Sequence, residues 1–159
     1  MIPVAWCEAK GVWMFGFYTV EGSSRKCGYL LDFGGSCDGG EGSPVVTALR
    51  ELREETNGVF DSQESSNWAS WLHECSHLMA KQRGYHCFLL QVGFLHKLEV
   101  QIALDSVTFV KQKKRKFQWV AKDDLAAALE AASWRGLPFH PRLSIPDLQR
   151  AIQSATEFL

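Results

Sequence analysis

The stretch from Gly34 to Val59 constrains the fold more than any other part of the chain. A glycine-rich loop, Gly34 to Gly42, runs into Ser43-Pro44 and then into a segment with helical apolar spacing. Serine is a favoured N-cap, and proline suits the first helical position because its φ is already helical and its missing N–H is not needed there. Val45, Ala48, Leu49 and Leu52 form the stripe that such a helix must bury. Asn57-Gly58 ends it, glycine being suited to a left-handed cap. The remaining face is charged, Arg50-Glu51-Leu52-Arg53-Glu54-Glu55. Glu51, Glu54 and Glu55 stand at i, i+3 and i+4 and fall within an arc of about 100°. Like charges so spaced repel by roughly 0.2–0.5 kcal/mol per pair. Two readings fit this. One is a solvated acidic face with Arg50 and Arg53 as partners. The other is a site for a hard divalent cation, which turns the repulsion into attraction and takes its oxygens from carboxylates, waters and substrate phosphates.

The rest of the chain supplies a body for that helix. Its 159 residues suit one domain, 1–159, with one core, and 46% hydrophobic and 12% aromatic content argue for a packed globule. No internal repeat or linker divides it. Val4 to Cys7, Val12 to Val20 and Cys27 to Phe33 read as strands, rich in aromatic and β-branched residues. Trp68, Trp71, Leu72, Cys75, Leu78 and Met79 keep helical spacing, and Arg83-Gly84 ends that second helix. His86 to Leu95 is strongly apolar and reads as a central strand. Val107 to Val110 and Phe117 to Val120 read as a strand pair around the basic stretch 111–116. Helices are expected over Asp123 to Ala132 and Pro146 to Leu159. Strands mixed with helices, without regular βαβ alternation, give an α/β fold with a mixed sheet between helices.

The net charge of −1 gives no global pull toward nucleic acid or membrane, so any phosphate-binding charge must be local. No apolar run is long enough for a membrane span, and no signal peptide is expected. Five cysteines without a CxxC pair argue against a disulfide framework or zinc ribbon, and read as reduced thiols of an intracellular, cytoplasmic protein.

The segment from Gly35 to Val59 resembles the Nudix box: Gly, five residues, Glu, seven residues, Arg-Glu, an aliphatic, any residue, Glu-Glu, any residue, Gly and an aliphatic. Gly35, Glu41, Arg50, Glu51, Leu52, Glu54, Glu55, Gly58 and Val59 match in kind. Asp32-Phe33-Gly34-Gly35 before the box, and Phe117-Gln118-Trp119-Val120 followed by Asp123-Asp124-Leu125 after it, are also similar to the family. The chain departs from the pattern twice, with eight residues between Glu41 and Arg50 and with Asn57 inserted before Gly58. Both insertions lie at helix ends, where length changes are absorbed. The resemblance implies a Nudix-type αβα sandwich and metal-dependent hydrolysis of a phosphoanhydride in a nucleoside diphosphate linked to another moiety. It implies that Glu51, Glu54 and Glu55, with the Gly35 carbonyl, hold Mg²⁺ or Mn²⁺, and that Glu41 and Arg50 form a brace between loop and helix. It leaves the general base open, with Glu99 and Asp105 as outlying candidates. The gapped box is similar to the branch that contains diphosphoinositol and dinucleoside polyphosphate hydrolases and some decapping enzymes.

Other features bear on substrate. Lys111-Gln112-Lys113-Lys114-Arg115-Lys116 is either a solvated hairpin tip or a phosphate clamp in which Lys113, Lys114 and Arg115 act with Arg25 and Lys26 of an earlier turn. In a decapping enzyme the clamp would hold RNA. Trp6, Trp13, Phe17 and Tyr18 are candidates to stack a base, although strand aromatics usually belong to the core. His140 and Arg142 either reach a phosphate or serve packing and capping. His73-Glu74-Cys75-Ser76-His77 matches the HExxH pattern of zinc peptidases, with His86 as an unconventional third ligand, but so short a pattern arises easily by chance. A non-catalytic domain that binds a nucleotide or a protein is the third class considered. The carboxylate cluster argues against it, since binding alone has no need of such repulsion.

Overall fold

A computed structural model describes residues 1–22, 24–36, 42–61, 85–107, 114–143 and 145–158. Strands β1 (Ile2–Cys7) and β2 (Val12–Glu21) form a hairpin, paired from Val4 with Phe15 to Cys7 with Val12. Gly11 turns it with φ +59° and donates to the Cys7 carbonyl. On its other side β2 pairs antiparallel with β4 (Lys114–Ala121), from Met14 with Ala121 to Glu21 with Lys114. Strand β3 (Leu89–Gln91) runs parallel to β1, so the four-stranded sheet is mixed, in the order β3-β1-β2-β4. Helices α1 (Pro44–Glu55), α2 (Lys97–Ser106), α3 (Lys122–Glu130) and α4 (Ile145–Phe158) complete a mixed α/β fold, with a two-residue hairpin of β5 (Ser133–Trp134) and β6 (Leu137–Pro138) between α3 and α4.

Strand alternation sorts the apolar residues into two clusters. Phe15 and Phe17 of β2, Leu89 and Val120 pack with Leu125, Ala128 and Leu129 of α3 and Leu148 and Ile152 of α4. Tyr18 and Val20 of β2, Leu90 and Phe117 pack with Ala48 and Leu52 of α1 and Val100 and Leu104 of α2. The buried stripe expected of α1 is therefore present in Ala48 and Leu52, with Val45 and Leu49 partly buried against the same cluster.

Three sequence expectations change. The apolar run His86 to Leu95 is strand only over Leu89–Gln91, and among the described residues it is an end strand of the sheet rather than a central one. Its apolar character comes from Leu89 and Leu90 facing different clusters, which an edge strand covered on both faces requires as much as a central one. Of the expected strand Val107 to Val110, Val107 is the C-cap of α2 and residues 108–110 lie outside the described part; among the described residues the strand partner of β4 is β2. Helix α2, unassigned from sequence, runs beside β4 instead. Gln101 accepts from the Phe117 N–H at 2.9 Å and donates to the Arg115 carbonyl at 2.7 Å, satisfying backbone groups of β4 that β2 does not. The segment Cys27 to Phe33 meets β2 at one bridge, Tyr18 with Leu31, beyond the end of the β1–β2 pairing, and a second bridge joins Leu30 to Phe139. Phe33 N–H bonds the Met1 carbonyl at 3.0 Å, so the chain crosses the start of β1 as it enters the glycine loop.

The expected helix over residues 68–79, including His73 and His77, lies outside the described residues, as do Glu41 and Lys111 to Lys113. Among the described residues, no helix is long and apolar enough to cross a membrane.

Candidate active site

Helix α1 starts and stops largely as its sequence dictates. Ser43 is the N-cap by backbone geometry and Pro44 opens the helix, but the Ser43 side chain makes no capping hydrogen bond; its carbonyl accepts from Val46 at 3.1 Å. At the other end Asn57 and Gly58 take left-handed φ values of +52° and +68°, and Gly58 N–H bonds the Arg53 carbonyl at 2.9 Å. The inserted Asn57 is thus absorbed after the last helical turn, and Arg50 to Glu55 keep helical spacing.

The three glutamates meet different surroundings. Glu54 is exposed and pairs with Arg50 Nη1 at 3.0 Å. Glu51 is mostly buried and pairs with Arg50 Nη2 at 3.1 Å. Arg50 Nη2 also donates to the Ser36 carbonyl at 3.1 Å, which ties the glycine loop to the helix; Glu41, its expected partner, lies outside the described residues. Arg53 turns away to Asp61 at 2.6 Å. Glu55 is only 7% exposed, which a solvated acidic face does not allow. Its Oε2 accepts from Gly34 N–H at 3.0 Å, and its Oε1 accepts from Arg115 Nη2 of β4 at 2.7 Å. Burial raises its pKa, against the opposing pull of Arg115 and the Gly34 N–H.

Gly34 and Gly35 therefore lie against two carboxylates one helical turn apart. A Cβ on Gly35 would stand 2.1 Å from Glu51 Oε1, so only glycine lets the loop backbone approach this carboxylate. Gly35 does not adopt a positive φ, so alanine suits its backbone and conflicts only with the tip of Glu51. Gly35→Ala should displace the Glu51 carboxylate and, if this carboxylate is a Mn²⁺ ligand, weaken Mn²⁺ binding ~10–100-fold, the range found when groups that orient a metal ligand are lost. Thermal unfolding should move little. Unchanged Mn²⁺ affinity by titration calorimetry would contradict the close approach as a functional feature.

Arg115 also lies over the Tyr18 ring, 5.1 Å from its centroid. The Tyr18 hydroxyl is buried and has no hydrogen-bond partner among the described residues. Burial raises its pKa further with the help of Glu55, so it stays protonated. An unsatisfied buried hydroxyl costs about 1–3 kcal/mol.

Behind the glycine loop sits Asp32, fully buried. Arg142 Nε donates to its Oδ1 at 2.8 Å, Tyr85 Oη donates to its Oδ2 at 2.7 Å, and the Met1 ammonium lies 3.2 Å from Oδ2. Arg142 donates further to the Asp32 and Gly34 carbonyls and lies 5.0 Å from the Tyr85 ring centroid. Cys87 donates from Sγ to Oδ2 at 3.5 Å, and burial with Asp32 nearby pushes its thiol up to about 12. Burial alone would raise the Asp32 pKa, but the Met1 ammonium and the Arg142 guanidinium overcome it and hold the carboxyl at about 2. A folded pKa below the ordinary value of 3.8 means that the unfolded chain takes up the proton first. Asp32 then contributes about 2 kcal/mol of stability near neutrality, fully present above its unfolded pKa and lost as pH falls from about 4 through 2. Urea unfolding at pH 6, 4 and 3 should show wild type losing stability more steeply than Asp32→Asn. Parallel pH profiles would contradict this.

The other sequence candidates divide. Lys26 reaches the site electrostatically, since its charge acts on both Glu55 and His140, whereas Arg25 in the same turn is exposed. The basic stretch is partly spent within the fold: Arg115 is buried on Glu55, Lys116 pairs with Glu21, and Lys114 is exposed. Glu99 accepts from the His96 N–H at 2.9 Å and Asp105 from Gln101 at 2.9 Å, so both serve α2. Phe17 and Tyr18 are core residues, and Trp6 packs on Trp13 at 5.5 Å, at the other end of β1 from Asp32. His140 Nδ1 accepts from the Arg142 N–H at 3.3 Å, a local turn contact, and burial beside Arg142 lowers its pKa. Asp32, Tyr85 and Arg142 form a cluster that sequence reasoning did not assemble. Its only local signal is an aspartate at the end of the otherwise apolar run Tyr29 to Phe33, a position that demands a buried partner.

Among the described residues, no three His, Cys, Asp or Glu side chains converge as a ready metal-ligand group. The oxygen-only donors Glu51 and Glu55, the backbone laid against them and the unsatisfied Tyr18 hydroxyl fit a hard divalent cation that completes its shell with water and substrate oxygens. No family model, curated protein or solved structure matches the chain.

Proposed function

We propose that the chain is a Nudix-type αβα sandwich hydrolase that cleaves the phosphoanhydride of a nucleoside diphosphate linked to another moiety, with Mg²⁺ or Mn²⁺. The observation that carries this reading is the placement of consecutive glycines, Gly34 and Gly35, against Glu55 and Glu51. A loop that surrenders its side chains to approach two acidic groups is arranged for a ligand of their opposite charge.

In this reading Glu51 and Glu55 hold the cation with the Gly35 carbonyl, and Glu54, on the same helix face, joins when it leaves Arg50. The cation, when bound, supplies charge stabilisation to the phosphate oxygens and a water of lowered pKa. Arg50 keeps loop and helix in register through Ser36 and Glu51. Arg142 fixes the Gly34 carbonyl and the Asp32 backbone behind the loop. Lys26 adds positive charge within electrostatic reach of Glu55.

The test is a panel of nucleoside diphosphate conjugates, dinucleoside polyphosphates, a diphosphoinositol polyphosphate and capped RNA, each assayed with Mg²⁺ and Mn²⁺. Cleavage into two phosphorylated products is expected for at least one class, with phosphomonoesters left intact. Absence of turnover across the panel with both metals would count against the reading.

A further inference from the structure

We propose that Arg115 is the resident counter-ion of Glu55: it neutralises this carboxylate in the metal-free protein and yields Glu55 Oε1 when a divalent cation is taken up. The inference rests on the metal-site reading above and deepens it.

Four observations carry it. Glu55 is buried, so its charge cannot be left uncompensated in the metal-free protein. Arg115 supplies that compensation at 2.7 Å from Oε1, with a weaker contact from Nη1 to the Glu55 carbonyl at 3.4 Å. The backbone of Arg115 is held by β4 and by Gln101 at 2.7 Å, so giving up Glu55 requires a change in the side chain alone. The guanidinium also lies over the Tyr18 ring, a second favourable contact that does not depend on Glu55, and the hydroxyl of that ring has no hydrogen-bond partner among the described residues.

Competition between two cations for one carboxylate makes a prediction opposite in sign to that of a supporting residue. Removing a residue that merely braces Glu55 weakens metal binding, whereas removing a competitor strengthens it. Mn²⁺ affinity is to be measured by electron paramagnetic resonance without substrate, for wild type, Arg115→Gln and the control Lys114→Gln, which removes the same charge from an exposed position on the same strand. Arg115→Gln should bind Mn²⁺ about tenfold tighter, with Lys114→Gln close to wild type. Wild type that binds while Arg115→Gln binds equally or more weakly overturns the role given to Arg115. Absence of Mn²⁺ binding in wild type and variants alike overturns the metal-site reading itself. If Arg115→Gln fails to fold, the wild-type protein decides: the Arg115 side-chain NMR signals should shift on addition of saturating Mg²⁺, and signals that stay in place contradict the proposal.

Discussion

Asp32→Ala should cost the fold about 3–5 kcal/mol, the range for removing one partner of a buried ion pair. The large value follows from what stays behind. Arg142, mostly buried, would lose its carboxylate, the Tyr85 hydroxyl would lose its acceptor, and the Met1 ammonium would keep only the Phe33 carbonyl. Tyr85→Phe removes a single neutral donor from the same carboxylate and should cost only about 1 kcal/mol. For a domain of this size each kcal/mol moves the melting temperature by roughly 2–4 °C. Thermal unfolding should therefore separate the two variants by several degrees. A loss below about 1 kcal/mol for Asp32→Ala would show that the cluster does not hold the fold as its geometry implies.

The same cluster explains how the fold places the site. Arg142 comes from the segment before α4, Tyr85 and Cys87 from the approach to β3, and all converge on the residue that precedes the glycine loop. The loop is thus fixed at its root by partners distant in sequence, and at Gly34 and Ser36 by Glu55 and Arg50 of α1.

How much of this was legible in the sequence depends on the range of the interactions. Helix α1 was legible because its start, its stripe and its stop are local: Pro44, the Ala48 and Leu52 spacing, and Asn57-Gly58. Strands β1 and β2 are legible over Val4 to Cys7 and Val12 to Val20 for the same reason, while their pairing into a hairpin is not. Helix α2 was missed because its apolar residues do not form one stripe. Val100 and Leu104 are buried, but Leu98 and Ile102 are 70% and 62% exposed, so the periodicity is blurred. The edge position of β3 depends on parallel pairing with β1, a contact that no local pattern encodes. Within the site, the spacing of Glu51 and Glu55 was readable, but the burial of Glu55 and its pairing with Arg115 were not. The sequence reads as a basic tip over 111–116 followed by a strand over Phe117 to Val120; the antiparallel register of β2 with β4 is what brings Arg115 back over Tyr18 and onto Glu55.

The second large effect concerns catalysis. Several kcal/mol of transition-state stabilisation come from a properly held cation, and each 1.36 kcal/mol is tenfold in rate. Glu51→Gln and Glu55→Gln keep the size of the side chain and remove its charge. Glu51→Gln is the cleaner variant, because Glu51 is not the partner of buried Arg115 and the fold should survive its loss.

The most direct measurement is kcat/KM on the best phosphoanhydride substrate as a function of Mg²⁺ and Mn²⁺, for wild type, Glu51→Gln and Glu55→Gln, with circular dichroism to confirm that each variant is folded. A hydrolytic site between Gly34-Gly35 and helix α1 predicts metal-dependent turnover in wild type and a loss of at least ~100-fold in both variants. Turnover that persists in folded Glu51→Gln and Glu55→Gln, with the same metal dependence as wild type, would contradict it.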